Sequence, residues 1–182
     1  MDGQAGYRVR ASGAADVPRA GEAAALLREA LKEKVIGLAA RSVPELAGKI
    51  SDGLAVLALS AEDALAGFIL VCPWEEGRWV STSALVVARA HRNHGLARRL
   101  KEAAFALARV RFPSARLFGL TTSGTVMKVN AGMGWVPATY AEVCRAPEFW
   151  KGCEACPHHG TLLKMKGEVC FCTAMRWEAP AG

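Results

Sequence analysis

A turn at residues 92–97 combines arginine, asparagine, histidine and glycine between two apolar segments. The apolar run before it, residues 84–87, predicts the end of a buried strand, and the segment after it has the periodicity of an amphipathic helix. The expected inner face carries Leu96, Leu100, Ala103 and Leu107, and the other side carries mainly Arg98, Arg99, Lys101 and Glu102. A helix start presents backbone N–H groups without intrahelical partners, and Gly95 removes a side chain that would keep a ligand away. The turn therefore predicts an anion site, most naturally for phosphate.

The C-terminal stretch carries two closely spaced cysteine pairs. The pairs are Cys153 with Cys156 and Cys170 with Cys172. Four thiolates at this spacing would suit one tetrahedral ion, for which zinc is the usual choice, and His158 or His159 would serve as a substitute ligand. The alternative is that these cysteines are free or disulfide-linked. The spacing predicts a structural zinc site and leaves that alternative open.

Composition restricts the class of protein. The chain has 182 residues, of which 52% are hydrophobic, and a net charge of +6. This is enough apolar material for one domain with a core, and no apolar run is long enough to cross a bilayer. The N-terminal residues lack the pattern of a secretion signal, so we expect a cytoplasmic protein without a membrane partner. The positive charge suits a phosphate-rich ligand, and its even spread argues against nucleic acid.

The predicted elements form a layered α+β or α/β domain. The predicted strands are residues 7–10, 53–60, 65–72, 78–87 and 116–120, with another from residue 134. The predicted helices start near Asp16, at the Ser42 capping box, at Leu96 and at Thr125. Three adjoining strands followed by a helix, in place of strict alternation, predict a mixed sheet.

The turn and its context resemble the acetyl-CoA signature of the GNAT acetyltransferase superfamily. The match is Arg-x-x-Gly-x-Ala, with a strand expected before it and a helix after it. The resemblance implies a mixed, mostly antiparallel central sheet flanked by helices, and it implies acetyl-CoA as co-substrate. It also implies which residues bind the coenzyme. The pyrophosphate turn would be Arg92, Asn93, His94, Gly95, Leu96 and Ala97, and the acetyl group and pantetheine arm would be lined by Leu85, Val86 and Val87.

A later block extends the resemblance. Met133-Gly134-Trp135 stands where many members carry Gly-Phe after a helix. Leu120-Thr121-Thr122 and the following Gly-Trp-Val-Pro are similar to short pieces of the acetyltransferase domain of N-acetylglutamate synthases. This narrower likeness implies glutamate as the preferred acceptor.

Two departures from the family pattern concern the proton-transfer groups. Asn130 stands where many members have a tyrosine acid, and an amide cannot supply a proton, although it would hydrogen-bond the coenzyme or its thiolate. Ser81 and Ser83 stand where many members place an acidic residue early on the long strand.

The resemblance implies direct attack of a neutral amine on the acetyl thioester. A base or a water chain must accept the proton of the amine, and a backbone amide of Val86 or Val87 would stabilise the oxyanion. Tyr140 is a candidate acid or substrate contact. The candidate bases are Glu75, Glu76 and Glu142. The basic residues Lys32, Lys34 and Arg41 would face a substrate carboxylate, or else are ordinary surface charges.

These features predict an N-acetyltransferase that transfers acetyl from acetyl-CoA to a small amine. The preferred acceptor is the α-amino group of glutamate, the reaction of arginine biosynthesis. The alternative is a GNAT domain that binds coenzyme A, or a metal-stapled interaction module, without turnover. We expect the acetyltransferase domain at residues 1–140 and a Cys-rich extension, stapled by zinc, at 141–182. Splayed strands often support dimers in this family, so a homodimer is a further expectation.

Overall fold

A single central sheet organises the chain. The computed structural model describes residues 6–33, 38–154, 156 and 158–178. The strands in these ranges are β1 (Arg8–Ala11), β2 (Ala55–Leu59), β3 (Leu65–Trp74), β4 (Trp79–Val87), β5 (Arg116–Thr121), β6 (Val136–Ala138) and β7 (Thr173–Trp177). The helices are α1 (Ala20–Lys32), α2 (Val43–Ser51), α3 (Leu96–Arg111), α4 (Gly124–Gly132), α5 (Pro147–Lys151) and α6 (His159–Lys164).

The strand order is β1-β2-β3-β4-β5-β7-β6. Strands β1 to β4 form an antiparallel meander, β4 and β5 are parallel, and β7 is antiparallel to both β5 and β6. The connection from β4 to β5 contains α3, as a parallel pair requires. The mixed, mostly antiparallel sheet predicted from the sequence is therefore confirmed.

Helices cover both faces of the sheet. Helices α1 and α2 pack on one face against side chains such as Leu57 and Phe68, and α3 packs on the other against Val56 and Ile69. All residues of β2 are buried because this strand has a helical layer on each side. A third apolar cluster, around Phe118, joins β5 to the C-terminal stretch.

Most elements lie where the sequence pattern predicts them. Ser42 caps α2, since its hydroxyl accepts a 3.3 Å hydrogen bond from the backbone N–H of Glu45. Helix α3 ends just before Pro113, which follows it by two residues. Helices α5 and α6 and strand β7 were not predicted from the sequence pattern. In the described ranges, none of the helices has the length and apolar character that crossing a membrane requires.

Strand β4 contains an irregularity at Ala84. Its pairing with β3 shifts register between Phe68 and Leu70, and Ala84 has a φ of 52°. A non-glycine residue in the left-handed region within a strand marks a β-bulge, which bends the strand and re-aims its backbone. Gly67 on β3 fits closely beside the residues that follow this bulge. A Cβ atom at Gly67 would lie 2.7 Å from the carbonyl oxygen of Val86.

We predict that Gly67→Ala destabilises the protein by about 1–3 kcal/mol, because the added methyl group meets rigid backbone and forces β3 and β4 apart. Chemical denaturation of the variant and wild type gives the difference in free energy of unfolding. Gly21→Ala on α1 is the matched control, since nothing lies within 4 Å of its added Cβ atom. Equal stability of Gly67→Ala and wild type would refute the close approach at this position.

Candidate functional site

Strands β4 and β5 separate shortly after they begin to pair. Their parallel register has three residue pairs, of which the last is Ser81 with Phe118. Beyond that pair, a cavity of about 110 Å³ lies between the two strands, and we call it the divergence cavity. It is lined on the β4 side by residues 82–85 and on the β5 side by residues 119–121. The bulge at Ala84 therefore lies in its wall.

The turn after β4 has the backbone of an anion site. A short 3₁₀ turn at Arg89–His91 leads into residues with positive φ, 65° at Asn93 and 70° at Gly95. Gly95 is the residue before the first turn of α3, and no atom lies within 4 Å of the position where its Cβ would be. The first N–H groups of α3 and the positive end of its dipole face the same open space.

Arg92 connects the turn to α1. Its Nη1 lies 2.8 Å from the Glu33 carboxylate, and its Nε donates to the carbonyl oxygen of Val87 at 3.2 Å. The hydrogen bond from Arg92 lowers the pKa of Glu33 below its ordinary value. These residues border a cavity of about 510 Å³ between α1 and the end of β4, which we call the turn cavity. Val86 and Val87 line the turn cavity, and Leu85 lines the divergence cavity.

A third cavity of about 280 Å³, the outer cavity, adjoins the divergence cavity. The two share the lining residues Leu38, Thr82, Ser83, Ala84 and Leu120. Charged residues from two segments of the chain line the outer cavity. Arg41 lies in the segment before α2 and forms an ion pair with Glu45, which is in α2. Glu148 lies on α5. Among the described residues, the Nε atom of Arg41 is buried without a hydrogen-bond partner.

A sequence model of the acetyltransferase (GNAT) family matches residues 23–124. This range includes the β4 wall of the divergence cavity and the turn at residues 92–97. This match covers more than half of the chain. The chain belongs to the GNAT acetyltransferase family. Membership of this family supports acetyl transfer from acetyl-CoA as the class of reaction.

Solved structures with the same fold include several acetyltransferases. The N-acetylglutamate synthase of Neisseria gonorrhoeae, complexed with coenzyme A and N-acetyl-glutamate, has a TM-score of 0.65 and 19% identity. That match covers 96% of this chain and 35% of the synthase, so the chain spans about a third of its length. A Mycobacterium tuberculosis protein solved with CoA has a TM-score of 0.64 and 17% identity, with 94% of this chain and 98% of that chain covered.

A phosphinothricin acetyltransferase from Sinorhizobium meliloti, in complex with AcCoA, has a TM-score of 0.64 and 13% identity, with coverage of 94% of this chain and 88% of that chain. No curated protein matches the sequence. At these identities the structural likeness establishes the GNAT fold and does not identify the acceptor.

The predicted coenzyme residues of β4 and of the turn after it follow one another from the start of α3 to the divergence cavity. From the turn at residues 92–97, β4 leads back past the turn cavity at Val86 and Val87 to Leu85 at the divergence cavity. Asn130 on α4 reaches the same divergence cavity, although it is 1% exposed. Its Nδ2 lies 3.6 Å from the Met175 sulfur, and its Oδ1 has no hydrogen-bond partner among the described residues. The roles of these residues stay predictions.

The predicted acid–base residues lie elsewhere. Glu75 pairs with Arg78 at 3.1 Å and accepts a 3.7 Å hydrogen bond from the Cys144 thiol, and the neighbouring Glu76 is exposed. Tyr140 is buried, and its hydroxyl donates to the carbonyl oxygen of Cys172 at 2.7 Å. Burial raises the pKa of Tyr140 above its ordinary value. None of these three candidate side chains lines the divergence cavity.

The four C-terminal cysteines line one cavity of about 70 Å³. They are Cys153, Cys156, Cys170 and Cys172. Burial raises the pKa of Cys153, and it raises that of Cys172 to about 11. Within the described part of the chain, no group of three or more His, Cys, Asp or Glu side chains is placed to hold a metal ion. The zinc site stays a prediction.

Sequence reasoning placed Lys101 on the outer side of α3, and this was wrong. Lys101 is 3% exposed and lines the divergence cavity. The helical spacing of Ala97, Lys101, Ala104 and Ala108 is the signal that could have placed this lysine. These residues form a second inner row on α3, made of small side chains and Lys101. Of the predicted basic contacts, Arg41 lines the outer cavity and Lys32 the turn cavity, whereas Lys34 lies outside the described residues.

A negative charge introduced at position 95 tests whether the turn at residues 92–97 binds an anion. We predict that Gly95→Asp binds acetyl-CoA at least about tenfold more weakly than Gly95→Asn, because the two side chains have nearly the same size and both tolerate positive φ, but only Asp repels a pyrophosphate. Calorimetric titration with acetyl-CoA gives the dissociation constants, and a gap that narrows at high salt identifies charge as its cause. Equal affinities of the two variants would show that the pyrophosphate binds elsewhere.

Proposed function

We propose that the protein transfers the acetyl group of acetyl-CoA to the α-amino group of a small acidic amino acid, with glutamate as the preferred acceptor. The single observation that carries this proposal is the lining of the outer cavity, which includes both Arg41 and the bulged segment of β4. The same segment of β4 also lines the divergence cavity. An acceptor held by Arg41 would then present its amine to an acetyl group between β4 and β5.

The coenzyme would lie along β4. Its pyrophosphate would meet the free N–H groups at the start of α3, and its pantetheine arm would follow Val87 and Val86 toward the bulge. From Val87 back to Ser83 an extended strand covers roughly 13 Å. The acetyl thioester would then occupy the divergence cavity, whose wall holds Leu85.

Arg41 is suited to a carboxylate. A guanidinium offers five N–H donors in a planar fork, and the ion pair with Glu45 uses one nitrogen of this group. The buried Nε of Arg41 has no hydrogen-bond partner among the described residues, so a ligand carboxylate would satisfy a donor that is costly to leave unpaired. Glu148, which also lines the outer cavity, would favour the positively charged amino group of an amino acid.

The preference for glutamate has support from outside the cavity. The N. gonorrhoeae enzyme with the same fold is an N-acetylglutamate synthase, complexed in one structure with coenzyme A and N-acetyl-glutamate. The sequence pieces at residues 120–122 and 134–137 resemble those of the same enzyme class. The acceptor nevertheless belongs to the proposal, because the identity is 19% and the chain spans about a third of that enzyme.

The chemistry follows from the two adjoining cavities. The amine attacks the acetyl carbon after losing a proton, a C–N bond forms, and the C–S bond to coenzyme A breaks. Negative charge passes through the carbonyl oxygen, and backbone N–H groups at the bulge would stabilise it. Because residues 84–87 contain the bulge, their amides need not all be used in the pairing with β3.

A panel of free amino acids tests the acceptor. We expect thiol release from acetyl-CoA to be fastest with glutamate, and we expect Arg41→Gln to raise the KM for glutamate by about 10- to 100-fold with a small effect on kcat, the range of a lost charged hydrogen bond. Arg28→Gln on the exposed side of α1 is the matched control.

Turnover decides between this proposal and a non-catalytic alternative. Thiol release with another amine, unaffected by Arg41→Gln, would contradict the choice of acceptor. Coenzyme binding without thiol release on any amine of the panel would favour a coenzyme-binding domain without turnover.

Gel filtration of the same protein tests the homodimer, which stays a prediction.

We also propose that the four C-terminal thiols bind one structural zinc ion, on the support of their convergence on one cavity. The thiols would have to close around the ion, since the described arrangement is not ready to hold it. Metal analysis should find one zinc per chain, and the four thiols should react with a chromogenic disulfide only after chelation. Protein without zinc whose four thiols react at once would rule out this site.

A further inference from the structure

Lys101 is a buried amine beside the place where acetyl transfer would occur. Its Nζ donates to the hydroxyl oxygen of Thr82 at 2.6 Å and lies 4.7 Å from the ring centroid of Trp135. No ion pair joins it to a carboxylate among the described residues. An amine buried in this way loses solvation without gaining a counter-charge, so its burial has to be explained by something other than stability.

The described residues of the divergence cavity's wall include one titratable side chain, that of Lys101. The described lining of this cavity comes from β3, β4, α3, β5 and α4, together with the segment before α2 and the turn after β5. The polar groups in this lining are hydroxyls, the Asn130 amide and the Lys101 amine. Glu102, the next residue on α3, is exposed and paired with Arg98, and Lys128 on α4 is exposed. Among the described residues of this wall, Lys101 is thus the one side chain that can exchange a proton near neutral pH.

Burial makes that exchange accessible. Desolvation lowers the pKa of Lys101 from its ordinary value of 10.5 to about 7. Both the ammonium and the neutral amine are then present near neutral pH, which suits a group that gives and takes back a proton in one cycle. Asn130, at the position of the family's tyrosine, cannot do this, because an amide does not supply a proton.

We propose that Lys101 is a catalytic residue that protonates the thiolate of coenzyme A as the C–S bond breaks. This inference rests on acetyl transfer at the divergence cavity. The ammonium gives one proton to sulfur and becomes a neutral amine, and coenzyme A leaves as the thiol. The proton that the acceptor nitrogen loses after forming the C–N bond returns to Lys101, so one turnover moves one proton from the acceptor nitrogen to sulfur. Thr82 is a positioning residue, since its hydroxyl holds the amine at the cavity wall.

The ionisation of bound coenzyme A tests the contact without an acceptor. The ultraviolet absorbance of the thiolate is followed against pH in the complex of coenzyme A with wild type and with Lys101→Met. In contact, the amine and the thiol titrate as a coupled pair, so in wild type we expect part of the thiolate to form already near pH 7, where Lys101 exchanges its proton. In Lys101→Met we expect thiolate only at the higher pH of the uncoupled thiol. Lys128→Met, which removes an exposed lysine from α4, should behave as wild type.

Loss of activity in Lys101→Met should not come from unfolding. In the folded protein Lys101 holds its proton less well than in the unfolded chain, so the lysine lowers stability at neutral pH, and this effect fades as the pH rises from about 7 toward 10.5. Replacing the amine with an apolar side chain of similar length removes that cost. We therefore expect Lys101→Met to unfold at the same or a higher temperature than wild type at pH 7.

Turnover completes the test. We expect kcat to fall about 100-fold or more in Lys101→Met and Lys101→Arg, because arginine keeps the charge but does not release a proton. Thr82→Val should show a smaller loss, and Thr82→Ser should restore activity. Thiol ionisation at the same pH in wild type and Lys101→Met would overturn the proposal, as would full activity of Lys101→Arg. The ionisation measurement uses coenzyme A alone, so a wrong choice of acceptor would leave its result unchanged.

Discussion

The short parallel pairing of β4 and β5 is the constraint on which the site depends. After three residue pairs the ladder stops, and the backbone groups that face the opening have no partner in the strand across it. Divergence on this side is possible because each strand has a partner on its other side, β3 for β4 and β7 for β5. The opening between two central strands thus costs the sheet few hydrogen bonds, while it provides a cavity with main-chain polar groups in its walls.

Three buried polar groups with incomplete partners line this opening or the outer cavity that adjoins it. Lys101 is buried without a carboxylate, and the Oδ1 of Asn130 and the Nε of Arg41 are buried without a hydrogen bond within the described residues. An unpaired neutral acceptor such as the Oδ1 of Asn130 costs the free protein roughly 1–3 kcal/mol of stability, and a charged group costs more when it is buried without a counter-charge. Folded proteins keep groups of this kind where a ligand completes them, and here all three lie on adjoining cavities.

The sequence allowed the fold and the anion turn to be predicted, because both depend on local signals. Alternating and periodic apolar residues specify strands and helices, and Gly95 at a helix start marks a positive φ and an open approach. The register of the strands and the position of β7 depend on pairing between distant residues, which periodicity does not report. Lys101 was misplaced for a related reason: its helix buries two adjoining rows, and the row of alanines gives a weaker hydrophobic signal than the row of leucines.

Strand β7 also has a consequence for how the chain folds. It lies between β5 and β6 in space, although it follows both in sequence. Until residues 173–177 arrive, β5 has an open edge on the side away from β4, and β6 has no partner strand among those described. The connection from Thr121 to Thr173 is long, so closing it to form this pairing has a high entropic cost. During synthesis, which proceeds from the N-terminus, that exposed edge is where the nascent protein is most open to pairing with another chain.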